Sequence, residues 1–106
     1  MKPFPAGESE MRVLTQIPII TNKETLSVAT GADSTLTPTG GGTHGLATVD
    51  PGGGGIRYWE DGTSPSSTVG LYVAPGGAVE LTNLANVKMR STTGTVAVNI
   101  SYRKYG

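Results

Sequence analysis

His44 is the only histidine in the chain, and it sits in a glycine-rich run, TGGGTHG, from Thr39 to Gly45. A histidine acting as a general base needs an oriented hydroxyl and a carboxylate, and a zinc site needs further nitrogen or sulfur ligands. The chain contains no cysteine and shows no Ser or Asp spaced to pair with His44. A solvated or interface histidine is the simpler expectation. Glu60 and Asp61, with Asp50 or Asp33, offer oxygens to a hard cation such as calcium, which takes about six to eight of them. No calcium-loop motif accompanies them, and an Asp before a Gly more simply bonds its own turn. Glu60 and Glu80 are the two carboxylates a glycosidase would need, but nothing in the sequence sets their separation. The glycine runs Gly40–Gly42 and Gly52–Gly55 lack the following Gly-Lys-Ser/Thr of a phosphate loop, and neither opens a helix. Trp59, with Tyr58 and Tyr72, is the aromatic set that could stack a sugar. Burial of Trp59 against an N-terminal arm or a neighbouring subunit is the favoured alternative, since aromatics dominate such contacts. No nucleophile, base and metal-ligand set emerges, so the expectation is a non-enzyme with no catalytic residue, metal or cofactor.

The elements that position these residues are short and extended. Ile56 to Glu60 alternates Ile, Tyr and Glu on one face with Arg and Trp on the other, and is rich in β-branched and aromatic side chains. Asp61-Gly62 turns the chain, and Thr63 to Ser67 lengthens the loop beyond a tight hairpin. Val69, Leu71 and Val73 then form the apolar face of a second strand, stopped by Ala74-Pro75-Gly76-Gly77. The same reading gives strands over Thr25–Thr30, Ser34–Pro38, Leu46–Val49, Ala78–Leu84 and Val87–Arg90. It gives the cleanest alternation over Thr95–Tyr102, where Val96, Val98, Ile100 and Tyr102 face one way. About eight short strands separated by turns predict an all-β protein, an antiparallel β-sandwich of jelly-roll or immunoglobulin-like type.

The composition agrees. Sixteen glycines and seven prolines in 106 residues leave little room for helix, and charged residues are only 15%. One domain is expected, with a modest core whose stability draws partly on neighbouring subunits. Eight basic and eight acidic side chains give zero net charge, without the basic excess of a nucleic-acid binder. No charged-then-apolar leader and no apolar run of membrane-spanning length is present, so no membrane partner is expected and synthesis is expected in the cytosol.

Residues 1–22 read differently from 23–106. Pro3, Pro5 and Pro18 break the N-terminal stretch, yet Phe4, Val13, Leu14, Ile17, Ile19 and Ile20 make it apolar. Pro18 suits an edge strand or an extended arm, and twenty extended residues reach roughly 65 Å. The expected organisation is an arm over 1–22 and a sandwich over 23–106.

The segment Arg57-Tyr58-Trp59-Glu60-Asp61-Gly62-Thr63-Ser64-Pro65, then Gly70, Pro75-Gly76-Gly77-Ala78-Val79-Glu80-Leu81, Met89-Arg90 and the closing Val96–Tyr102 strand resembles small virion proteins of tailed bacteriophages. The resemblance covers about residues 55–105. It implies a β-sandwich on the capsid surface as a decoration, or cement, protein, or one at a head–tail or tail-fibre joint. The implied partners are the major capsid protein and copies of the chain itself, as a homo-oligomer with a trimer among its forms. The residues expected to carry contact are Phe4, Val13, Leu14, Ile17, Ile19 and Ile20 of the arm, with His44 and Trp59 from the loops. A carbohydrate-binding module displaying Trp59 is the reading from another class.

Overall fold

Val96 to Tyr102 forms the strand its alternation predicts. In the computed structural model, which describes residues 18–105, the strand continues to Tyr105, with Val96, Val98, Ile100 and Tyr102 all buried. In chain order the strands are β1 (Pro18–Val28), β2 (Ser34–Thr35), β3 (His44–Val49), β4 (Ile56–Trp59), β5 (Leu71–Val73), β6 (Ala78–Leu81), β7 (Lys88–Ser91) and β8 (Val96–Tyr105). One 3-10 turn, Leu84–Asn86, lies between β6 and β7. The protein is all-β, with two antiparallel four-stranded sheets ordered β1-β8-β3-β6 and β2-β7-β4-β5. Strands 1 and 8, 2 and 7, 3 and 6, and 4 and 5 are partners. The chain is thus paired as one long antiparallel ribbon, with β4–β5 as its hairpin end.

The core lies between the sheets. Ala47 and Val49 of β3, Leu81 of β6 and the inward row of β8 meet Ile56 and Tyr58 of β4, Met89 of β7 and Val73 of β5. Each comes from an alternate position of its strand, so the period of two in the sequence becomes one buried face per sheet. Val87 and Leu84 close the end next to the 3-10 turn.

Three features differ from the sequence expectations. The first strand begins at Pro18 and pairs with β8 along its whole length, so residues 18–22, expected in the arm, are part of the sheet. Phe4, Val13, Leu14 and Ile17 lie outside the described residues. The apolar face expected for Val69, Leu71 and Val73 is buried only at Val73; Leu71 and Val69 are exposed. β5 is an edge strand, and the opposing sheet covers only its last residue. The polar strand expected over Ser34–Pro38 shortens to Ser34–Thr35, with Leu36 packed against the core just beyond it.

Candidate functional site

β8 is ten residues long and β3 begins opposite its residue 103, so the end of β8 and the start of β1 run on past β3 as a ribbon. Along β8, Tyr102 points into the core, so Arg103 points out. The pairing of β1 shifts between Ile20 and Asn22: Asn22 faces Tyr102, and Ile20 faces Arg103. In a regular strand residues 20 and 22 share a face. The extra residue, Thr21, puts them on opposite faces. The bulge thereby brings Ile20 to the outer face, in one row with Arg103 and, across β8, His44.

This row brings together two of the residues singled out from the sequence. Ile20 is 53% exposed and lies on one side of Arg103, and half-buried His44 lies on the other. Ile19, 47% exposed, pairs with Lys104 and so lies on the opposite face of the ribbon. The His44 ring stands edge-on to Tyr105, with centroids 4.6 Å apart and planes at 87°, a favourable aromatic geometry. The Thr43 hydroxyl lies 2.8 Å from His44 Nδ1, and the Tyr105 hydroxyl donates to Glu80 Oε2 at 3.1 Å. β3, β8 and β6 thus hold the aromatic pair in place. Arg103 Nε is buried without a hydrogen-bond partner among the described residues.

The row is stiffened from below. Buried Tyr102 donates its hydroxyl proton to Glu24 and accepts the Thr37 N–H at 3.2 Å; Glu24 Oε1 also accepts that N–H, at 2.9 Å. Burial first, and the Glu24 hydrogen bond second, push the Tyr102 hydroxyl well above the usual tyrosine range. Asn22 Oδ1 takes the Thr39 N–H at 3.0 Å, so the segment leading into the glycine loop is tied to β1 at two points. Beside the row, on the same outer face, lies a shallow depression of about 500 Å³ lined by Lys23, Thr25, Leu46, Thr48, Asn99 and Ser101. Within it the Thr25 hydroxyl donates to Asn99 Oδ1 at 2.7 Å.

Trp59 belongs to the other sheet. It ends β4 opposite Lys88 and is half-buried. The loop after it is held at several points. Asn83 Nδ2 donates to the Glu60 carbonyl at 2.8 Å, and the Gly62 N–H donates to the Asn86 carbonyl at 2.9 Å. Asp61 Oδ1 accepts the Thr63 N–H at 3.0 Å, the self-bonded turn expected of Asp-Gly, and these Thr63 bonds lower the Asp61 carboxyl. Gly62 takes φ +88°, the left-handed conformation that such a turn uses. Ser64 donates to Asp33 Oδ2 at 2.6 Å, and Arg90 Nε to Asp33 Oδ1 at 2.8 Å. Ser64 first and Arg90 second hold the Asp33 carboxyl below its ordinary value. Trp59 and His44 lie at the same end of the sandwich, the end closed by the 3-10 turn. Asn83 and Asn86 bind the loop after Trp59, and a Cβ at Gly45 would meet the Leu84 side chain at 3.5 Å.

The acidic residues weighed as calcium ligands are dispersed. Asp33 serves Arg90 and Ser64, Asp61 serves its own turn, and no group of three or more His, Cys, Asp or Glu side chains gathers among the described residues. Glu60 follows a strand of one sheet and Glu80 lies on a strand of the other. The outer face of the β1-β8-β3-β6 sheet is polar along its length, with an apolar and aromatic margin at one end. Arg103 and Tyr105 belong to that margin but were not singled out from the sequence. No family model, no curated protein and no solved structure matches this chain.

Proposed function

We propose that the chain is a structural virion protein of a tailed bacteriophage, a decoration protein that binds the outer surface of the head and clamps neighbouring coat subunits. The observation that carries the reading is the row Ile20–Arg103–His44, with Tyr105 against His44 and Ile19 on the reverse face of the same ribbon. Exposed Ile20 and Tyr105 beside half-buried Arg103 and His44 are the aliphatic, aromatic and arginine side chains that a protein partner buries at the centre of an interface. In sequence, the apolar residues Val13, Leu14 and Ile17 of the expected arm immediately precede this margin. The resemblance to small phage virion proteins over residues 55–105 supplies the partner: the major capsid protein, with further copies of the chain around it.

The pairing of strands 1 with 8, 2 with 7, 3 with 6 and 4 with 5 supports the jelly-roll form of the sandwich over the immunoglobulin-like form. Jelly rolls occur in viral capsid domains and in lectins, so the fold alone chooses neither. Trp59 lies on the opposite sheet from the depression and is half-buried, which favours the contact reading over an open sugar-stacking platform.

Binding of the purified chain to heads that lack it tests the reading. Ile20→Asp alters an exposed side chain and leaves the core intact. It is expected to weaken head binding at least about tenfold, the equivalent of roughly 1.4 kcal/mol per site. Trp59→Ala is expected to bind heads far better than Ile20→Asp does. Unchanged binding by Ile20→Asp contradicts the assignment of the docking surface.

A further inference from the structure

We propose that the free edge of β5 is a self-association site, at which Leu71–Val73 of one copy pairs antiparallel with Leu71–Val73 of a second copy about a two-fold axis through Tyr72. The proposal shares with the reading above only the idea that the chain contacts its own copies. The surface lies on the other sheet from Ile20, Arg103 and His44.

The two sheets end in four strands: β1 and β6, β2 and β5. An edge strand presents unpaired N–H and C=O groups, and monomeric proteins guard such edges with charge, proline, shortness or a covering segment. β1 carries Lys23 and is tied to the 37–39 segment through Glu24 and Asn22. β2 is two residues long, and β6 carries exposed Glu80. β5 is also short, at three residues, but among the described residues its edge carries no charge and no proline within the strand. Leu71 and Tyr72 are 45% and 52% exposed, and Val69, just before the strand, is 57% exposed. No residue from Gly62 to Val79 carries a charge.

Charge and length together select the second copy. The strand itself carries no charge, so its own residues oppose no like charge when it meets itself; the nearest cation, Arg57, sits over the Tyr72 ring and on the Gly70 carbonyl of its own copy. The strand is bounded on one side by Gly70, whose carbonyl already accepts from Arg57 Nη1 at 3.1 Å. On the other side Ala74-Pro75 turns away, with the Gly77 N–H on the Ala74 carbonyl at 2.9 Å, and Pro75 has no N–H to offer. Pairing at this edge is therefore confined to the three residues of β5, which a second copy matches over its whole length. With Tyr72 on the axis, Leu71 of each copy faces Val73 of the other and the tyrosines face one another, a self-complementary isologous contact. The Arg57 guanidinium sits 4.9 Å from the Tyr72 ring centre and backs each tyrosine with a cation–π contact. Three exposed side chains per copy fall well short of the roughly 800 Å² per partner of a standard interface. The pairing is therefore weak in dilute solution and is populated where copies are held side by side.

Sedimentation velocity of the full chain up to roughly 1 mM, the weak end of the affinity scale, tests the proposal. The wild type is expected to show a sedimentation coefficient that rises with concentration, and Leu71→Lys to remain a monomer over the same range. The chain has no cysteine, so Tyr72→Cys gives an unambiguous second readout. It is expected to oxidise to a disulfide dimer faster than Asp50→Cys, an exposed control elsewhere. A wild type that stays monomeric throughout, association unchanged in Leu71→Lys, or equal oxidation rates for the two cysteine variants would each overturn the proposal. Loss of head binding in Leu71→Lys without self-association of the wild type would overturn it too, and would give the edge to the coat protein. Unaltered head binding by Ile20→Asp alongside intact self-association would instead sink the docking surface proposed above and leave this one standing.

Discussion

Asp33 and Tyr102 are two side chains through which pH reaches this structure. Ser64 and Arg90 keep the Asp33 carboxyl below its ordinary value of 3.8, so its ionised form stabilises the folded chain. That contribution is present above the unfolded value and is lost as pH falls through the lower folded value. Asp33→Asn is expected to cost about 0.5–1 kcal/mol at neutral pH, as a partly exposed pair does. The gap to wild type should close below about pH 4, which thermal melts over a pH series would show. Tyr102 has the opposite sign. Its raised value means that the neutral phenol stabilises the fold below the ordinary value of 10, and that this contribution is lost as pH rises beyond it. Tyr102→Phe removes the donor to Glu24 while leaving Glu24 on the Thr37 N–H. The expected cost is about 1–2 kcal/mol, measured by denaturant unfolding, with a shallower loss of stability above about pH 10 than in wild type. Asp61 on its own turn was legible in the sequence because both partners lie within two residues. The Glu24–Tyr102 bond spans 78 residues, and no local pattern encodes it.

At the scale of elements, what was legible is what repeats with period two against an opposing sheet. Val96, Val98, Ile100 and Tyr102 all face inward as read, as do Val87 and Met89. Val69 and Leu71 carry the same pattern and are exposed, because alternation reveals a face but not whether another sheet covers it. The row Ile20–Arg103–His44 was illegible for a related reason. Its members come from the beginning, middle and end of the chain, and the Thr21 bulge that aligns them has neither Gly nor Pro to mark it. Glycine does mark the join between β4 and β5. A Cβ at Gly55 would come within 2.5 Å of the Val73 carbonyl oxygen and 2.6 Å of the Tyr72 ring. Gly55→Ala is expected to push β5 off β4 and cost about 1–3 kcal/mol, the range of overpacking in a close-packed site. Hydrogen exchange should localise the loss of protection to residues 71–73.

For the whole molecule, the pairing of strands 1 to 4 with strands 8 to 5 places the two ends of the described chain together, Pro18 beside Tyr105. The apolar segment that precedes Pro18 in sequence thus leads directly into the proposed docking margin, and the free edge of β5 lies on the other sheet. One surface for the head and another for a neighbouring copy are the requirements of a protein that reinforces a lattice, where many weak contacts add through avidity. Zero net charge suits dense packing of copies and was visible from composition alone. Where the proposed role would place the chain was not, because nothing in the residues themselves counts copies. The most direct measurement is therefore co-sedimentation of the purified chain with heads that lack it, counting bound copies per head at saturation. A decoration protein is expected to bind in numbers comparable to the coat subunits and to raise the resistance of the heads to heat. A dozen copies or fewer would contradict the decoration role and place the chain at a head–tail or fibre joint, and no binding at saturation would contradict the virion reading itself.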